Sequence, residues 1–336
     1  MTYQTLYKKR DVWKGIAILW VMYFHLPHDF IFQPFLLKLQ LYGYAGVDIL
    51  LFASGIGCYY SLHSRPDFYS FFKRRITRIL PAYWIFLVFW SIVQIHKNQI
   101  STQSILGNYL GIQFFTDQGI AFNWFISGIL IMYVVAPYFY RFITGRSNFE
   151  RSLLLVAFLL VFTIPWLGQE RDLLLVSRIP IFGLGMCFGR LGIEERPFTK
   201  ITGAVSLIIC FIGMVILYLV DNYAYALLTD LSIGWTVFVL IAPGICFAAS
   251  FLPDTIGRVF AFFGRLSLEL FLMHLLMIDI RDLLALHALI PDTPLTYIVA
   301  LLISVPFALF LKFLADFASS RLHFLLNRNI IESKGE

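Results

Sequence analysis

The sequence predicts an all-α, polytopic membrane protein: a bundle of about ten transmembrane helices with both termini in the cytoplasm. The chain has 336 residues, of which 59% are hydrophobic and 14% charged, whereas soluble domains carry about 25% charged residues. Apolar runs of about 20 residues, the length needed to cross a bilayer, recur along the chain. Basic residues are also unevenly divided between alternate connections, as in multi-pass proteins. We expect a single transmembrane domain over residues 1–336.

Ten apolar segments, separated by polar, Pro-containing or Asp-containing connections, form the predicted helices. They span residues 12–30, 42–62, 77–96, 122–142, 150–168, 172–190, 200–220, 229–252, 265–287 and 295–320. Residues 98–121 are apolar but short and interrupted by Gly and Asn, so we expect an interfacial or re-entrant segment on the outer face.

The distribution of positive charge supports this count. With the N-terminus inside, 20 of the 26 basic residues lie in cytoplasmic segments, as the positive-inside rule requires. The outer connections hold three, Lys38, Lys97 and Arg171, and the spans hold three, Arg178, Arg281 and Lys312. An eleventh helix within 98–121 would invert every later loop and destroy this pattern.

The charge and the cysteines exclude several classes of function. The net charge of +6 follows from topology, so nucleic acid is not an expected partner. The four cysteines, Cys58, Cys187, Cys210 and Cys246, lie inside apolar runs without metal-ligand spacing. We interpret them as small core residues, with no metal site.

The first predicted helix carries two ionisable residues in the stretch KGIAILWVMYFH. Lys14 and His25 are eleven residues apart, which is three helical turns plus about 20°, so both project from one face about 16 Å apart. Ionisable groups inside a membrane are costly and usually mark a functional cavity. The alternatives are a snorkelling anchor for Lys14 and a hydrogen-bonded core residue for His25.

Asp48, in the second predicted helix, is expected at the depth of His25 because the two helices are antiparallel. A carboxylate beside an imidazole fixes its tautomer and raises its basicity. The sequence therefore predicts a pairing of Asp48 with His25, with capping of the helix or pairing with Lys38 as alternatives.

Five basic residues crowd the start of the third predicted helix, in and before FFKRRITR. Arg75 and Arg78 are three apart and share a helix face. Arginine presents a planar fork suited to phosphate. The cluster predicts an anionic ligand in addition to a topology signal.

Further polar residues lie within later helices and are candidates to line a cavity. Ser267, His274 and Arg281 are spaced by seven and form one stripe, with Glu269 off that stripe. Arg178 lies at the outer start of the sixth predicted helix.

These residues and their order resemble the acyltransferase 3 family, integral-membrane O-acyltransferases that act on cell-surface glycans. The resemblance covers about residues 8 to 320. It implies a location in the cell inner membrane, and no fused periplasmic domain is expected. It is carried by DVWKGIAILWVMYFH, by GYAGVDILLFASG, by FFKRRITRILPAYW with its R-x-x-R pattern, and by FFGRLSLELFLMH. Many members have Arg where this chain has Lys14, so the charge is kept but the bidentate fork is not.

The resemblance implies an acyl donor, acyl-CoA (acetyl-CoA by default), that enters from the cytoplasm. Its phosphates would meet Lys14, Arg75 and Arg78, and its pantetheine arm would carry the thioester to His25. The histidine would act as general base on a sugar hydroxyl, oriented by Asp48, or would form a covalent acyl-histidine. Candidates to stabilise the oxyanion are Ser54, His274 and Arg281.

The expected partners are acyl-CoA, a surface glycan or lipid-linked sugar, the lipid bilayer and, if transfer is indirect, a separate periplasmic protein that accepts the acyl group. A secondary transporter or flippase of such a glycan is the alternative function. Against it, the two halves show no inverted repeat and no paired broken helices.

Overall fold

A computed structural model describes residues 2–27, 31, 33–97, 100–116, 124–144, 174–223 and 232–332. These residues form helices and no β-strand, which confirms the all-α class. Six of the described helical segments are long and apolar enough to cross a membrane, or up to seven if one bent pair counts as a single span. The protein is therefore a multi-pass membrane protein by length and composition; the count of ten and the cytoplasmic termini stay predictions.

The helices are numbered here in chain order. They are α1 Tyr3–Tyr7, α2 Arg10–Phe24, α3 Pro34–Leu41, α4 Gly46–Ser64, α5 Phe68–His96, α6 Thr102–Tyr109, α7 Gln113–Thr116, α8 Trp124–Thr144, α9 Ile179–Ile193, α10 Lys200–Tyr223, α11 Ser232–Ala249, α12 Asp254–Arg265, α13 Ser267–Leu286 and α14 Pro294–Glu332. A 3₁₀ turn, Tyr42–Ala45, joins α3 to α4.

Helices lie at nine of the ten predicted positions, and the tenth, 150–168, falls outside the described residues together with Arg171. In the described part of this segment, residues 100–116, the helices are α6 and α7, of eight and four residues. Because a span needs about 20 residues, neither crosses a membrane, in agreement with the prediction for this segment.

Helix α2 ends earlier than predicted, with His25 as its C-cap. The reason is Pro27, since the residue before a proline is driven out of the α region and proline itself lacks the N–H that would continue the helix. His25 thus lies at the end of a helix and not inside one.

Helix α4 and the turn before it lie directly against α2, and both are largely buried. A Cβ on Gly43 would lie 2.5 Å from the Trp20 carbonyl oxygen, and one on Gly46 would lie 2.3 Å from the Ala17 carbonyl oxygen. The absence of side chains at these two positions lets the backbones approach and sets the register of the antiparallel pair.

Helix α12 is absent from the predicted set. It is amphipathic, is separated from α13 by Leu266, and makes an angle of 71° with α13. Gly264 and Gly15 lie at the contact of α12 with α2, where a Cβ on Gly15 would lie 1.8 Å from the Phe260 carbonyl oxygen. This contact ties α2 to the start of α13.

Helix α5 continues through Pro81, which has no N–H for the Thr77 carbonyl four residues earlier. Ser319 of α14 donates its hydroxyl to that carbonyl oxygen at 2.9 Å. A neighbouring helix thus satisfies the freed backbone group, as is usual for prolines in membrane helices. Arg75 and Arg78 consequently project from an unbroken helix.

Candidate active site

The imidazoles of His25 and His274 meet where the end of α2 lies against α13. Nδ1 of His25 is 3.2 Å from Nε2 of His274, and the ring centroids are 4.9 Å apart. His274 is fully buried, whereas His25 is partly exposed. The sequence predicts both residues as site candidates but not their contact.

The hydrogen bonds assign the tautomer of each ring. Nδ1 of His274 lies 2.8 Å from the Leu270 carbonyl oxygen, so it carries the proton and Nε2 is left as an acceptor. Nδ1 of His25 faces that acceptor and also the Val21 carbonyl oxygen at 2.9 Å. Since both partners accept, His25 is protonated at Nδ1, and its Nε2 keeps a lone pair.

The histidine pair lies part of the way along α13, not near its far end. α13 continues for twelve residues beyond His274, to Leu286, which is about 18 Å of helix. His25, at the end of α2, therefore lies against the middle part of α13.

The predicted pairing of Asp48 with His25 is wrong. Asp48 pairs instead with Arg178, its Oδ1 lying 3.8 Å from Nε of Arg178, and both side chains are 0% exposed. The register of Gly43 and Gly46 on α2 places Asp48 about two helical turns away from the level of His25. Arg178 also lies with its guanidinium carbon 4.9 Å from the Trp124 ring centroid.

The Asp48 pairing predicts a structural phenotype. In the Asp48→Asn protein, the buried guanidinium of Arg178 loses the Asp48 carboxylate, and breaking a buried ion pair costs about 3–5 kcal/mol. We expect a lower midpoint in denaturant or thermal unfolding of purified protein, and an unchanged pH dependence of any transfer activity. The control is Asp316→Asn, which removes an exposed carboxylate from an i,i+4 pair with Lys312. Normal stability with lost transfer would contradict this assignment and favour an orienting role.

A second polar cluster lies where α4 ends and α2 and α13 begin. It contains Lys14, Arg75, Arg78 and Glu269, and we call it the basic end of the bundle. Arg75 donates from Nη2 to the Gly57 carbonyl oxygen at 2.8 Å, and its guanidinium carbon is 5.4 Å from the rings of Phe71 and Tyr133. Among the described residues, Nε of Arg75 is buried without a hydrogen-bond partner. A buried, unsatisfied donor is costly unless a ligand supplies the acceptor.

The other two predicted donor-binding residues have carboxylate partners. Nη1 of Arg78 is 2.7 Å from Oε1 of Glu269, and the Arg78 side chain is 43% exposed. Nζ of Lys14 is 2.7 Å from Oδ1 of Asp11, on its own helix. Arg78 is therefore held by α13, whereas Lys14 is held locally.

Two of the three candidates for an oxyanion donor lie away from His25. Arg281 is 4% exposed and is held by Asp282, Asp292 and Thr296, with its guanidinium carbon 3.7 Å from the Tyr297 ring centroid. It joins the end of α13 to the start of α14.

The remaining candidate, Ser54, lies with its hydroxyl 3.4 Å from that of Tyr133 and so belongs to the Arg75 cluster. Ser267 is the first residue of α13, directly after the break at Leu266. The predicted stripe on α13 is therefore divided between three environments, because the neighbours of the helix change along its length.

Sequence reasoning missed the partners rather than the residues. His25 and His274 are 249 residues apart, and Arg78 and Glu269 are 191 apart. A single sequence carries no local signal for such contacts, since periodicity reports only the face on which a residue lies. The only signal available was that each residue is ionisable inside an apolar segment.

Comparison with known proteins gives one match. A family model described as an acyltransferase domain, the acyltransferase 3 model, matches residues 8–313. No match was found among curated proteins or among solved structures.

Proposed function

The chain belongs to the acyltransferase 3 family and is a membrane acyltransferase, and from this premise we propose the reaction that it performs. It transfers an acyl group, acetyl in the first instance, from acyl-CoA to a hydroxyl of a cell-surface or lipid-linked sugar. The donor binds at the basic end, on the cytoplasmic side, and the acceptor reaches His25 from the other side.

The observation that carries this proposal is the assigned lone pair on Nε2 of His25. A general base needs an unprotonated nitrogen within reach of the hydroxyl that it activates. His274 accepts from Nδ1 of His25 and so takes the orienting role that the sequence assigned to Asp48. When Nε2 gains a proton, the Nδ1–H bond to His274 strengthens because it becomes charge-assisted.

The transfer is a single acyl exchange. Nε2 of His25 takes the proton of the sugar hydroxyl while the hydroxyl oxygen bonds to the thioester carbonyl carbon. The tetrahedral intermediate then collapses, the carbon–sulfur bond breaks, and the CoA sulfur takes the proton from His25. The products are the sugar ester and free CoA, and the imidazole is neutral again.

The basic end suits the phosphates of CoA. Arg78 is partly exposed and uses one nitrogen for Glu269, so its other edge is open to an anion. The unsatisfied Nε of Arg75 supplies a second donor three residues away on the same helix face. Lys14 has the weakest structural support of the three predicted donor ligands, because it pairs with Asp11 of its own helix and is not held by another helix.

The proposal is tested with purified protein in vesicles, radiolabelled acetyl-CoA and an extract of surface glycans. We expect CoA release and labelled glycan, and weaker acyl-CoA binding after Arg75→Ala with Arg78→Ala. Label retained on a separate periplasmic protein would support transfer through a partner. Unlabelled glycan together with saturable glycan movement would overturn the proposal in favour of a transporter.

A further inference from the structure

Glu269 is a carboxylate in the first turn of α13 that is 0% exposed. Its Oε1 accepts from Nη1 of Arg78 at 2.7 Å, and its Oε2 is buried without a hydrogen bond among the described residues. Burying a carboxylate is costly unless it is paired, so the contact with Arg78 offsets part of the cost of burying Glu269.

The two sides of this ion pair are not equivalent. Glu269 is enclosed by the protein, whereas Arg78 is 43% exposed at the basic end. The carboxylate therefore holds the guanidinium through Nη1, and part of the Arg78 side chain stays exposed. An arginine side chain otherwise has several rotatable bonds, and ordering it on ligand binding costs affinity.

Helix α13 links this contact to the histidine pair. Glu269 and His274 lie five residues apart on α13, about 7.5 Å along the axis. The same helix thus holds the partner of Arg78 and the partner of His25, and α12 ties the start of this helix to α2.

We propose that Glu269 is a positioning residue of the donor site, which pre-orders Arg78 so that its free edge receives a phosphate of the acyl donor. This inference rests on the proposed function. It predicts that Glu269 acts on donor binding through Arg78, not on the chemical step at His25.

The chain offers a matched control for a purely structural role. Asp279, on α13 as well, accepts from Nζ of Lys97 at 2.7 Å and from Gln94 at 2.8 Å, so it also joins α13 to α5. This contact joins α13 to the same helix with the same 2.7 Å separation of charged atoms, but lies ten residues farther along α13, away from the basic end.

The test compares Glu269→Gln, Arg78→Gln, the double variant and Asp279→Asn, by direct acetyl-CoA binding and by steady-state transfer. We expect Glu269→Gln to raise the donor Kd and KM about tenfold, the scale of one charge-assisted contact. Its kcat and the pH profile of kcat stay unchanged. In the double variant the donor Kd is no higher than in Arg78→Gln alone, because the effects of two residues that act through one contact are not additive. Asp279→Asn leaves the donor Kd unchanged.

The outcomes separate the inference from the proposed function. Unchanged binding in Arg78→Gln would overturn the donor site itself. Two results would overturn only the role of Glu269, provided that Arg78→Gln binds the donor more weakly. The first is normal or tighter donor binding in Glu269→Gln, and the second is additive effects of the two substitutions in the double variant. If the Glu269→Gln protein does not survive purification, Glu269→Asp keeps the charge but shortens the side chain by one methylene; an unchanged donor Kd in that variant would likewise overturn the inference.

Discussion

His25→Ala protein is expected to bind acyl-CoA with unchanged affinity but to transfer no acyl group above background. In the proposed mechanism this substitution removes the group that accepts the hydroxyl proton, and general base catalysis contributes about 10²–10⁴-fold. The donor Kd stays the same because Arg75 and Arg78, the groups proposed to bind phosphate, bond to Gly57 and Glu269 and not to His25. The measurement is single-turnover transfer with radiolabelled acetyl-CoA, alongside direct binding.

His96→Ala serves as the matched control for this result. Nδ1 of His96 bonds the carbonyl oxygen of Ile92 four residues earlier, as Nδ1 of His25 bonds that of Val21, but His96 lies at the exposed end of α5. Normal transfer by His25→Ala protein would refute the mechanism. Covalent label on the unsubstituted protein that is released by mild acid or hydroxylamine, and that is absent from His25→Ala, would indicate that His25 attacks the thioester itself.

His274→Leu is expected to lower kcat by about 10²-fold, the upper range for loss of a group that orients a functional histidine. Leucine cannot accept from Nδ1 of His25, so the tautomer with the lone pair on Nε2 loses one of its two acceptors. Raising the pH should not restore the rate, since the defect is in orientation and not in protonation of the base. The donor KM should be unchanged. The measurement is the pH profile of kcat.

Two companion variants separate an orienting role from a packing role. His274→Gln places a carbonyl oxygen in reach of Nδ1 and should recover part of the rate, whereas a purely apolar filling role would favour leucine. His25→Ala with His274→Leu should be no slower than His25→Ala alone, because residues that act as one unit are non-additive. A further loss in the double variant would contradict the assignment of His274 as the partner of His25.

Local patterns in the sequence were sufficient for the fold class and for most helices. Apolar runs mark helices independently of what they contact, since in a membrane each helix satisfies its own backbone hydrogen bonds. The exceptions have identifiable causes. Pro27 ends α2 before the apolar run stops. Helix α12 was not predicted because an amphipathic helix lacks the continuous apolar run of a span.

The candidate residues also came from sequence, because ionisable groups inside apolar segments are few and conspicuous. His25, Arg75 and Arg78 could be proposed on that basis. What the sequence could not provide was the depth of each group relative to a neighbouring helix. For Asp48, the assumption of aligned helix ends led to the wrong partner, since the register depends on which small residues allow two backbones to approach.

The sequence by itself thus determined an all-helical membrane protein with a basic end, a histidine on the first long helix and the motifs of an acyltransferase. Only the tertiary structure decided that His25 meets His274, that Arg78 is held by Glu269, and that Asp48 pairs with Arg178. The physical reason is that hydropathy and periodicity are properties of one helix. Hydrogen-bond partners are chosen when helices pack, and the register of that packing is set by contacts between residues far apart in the chain.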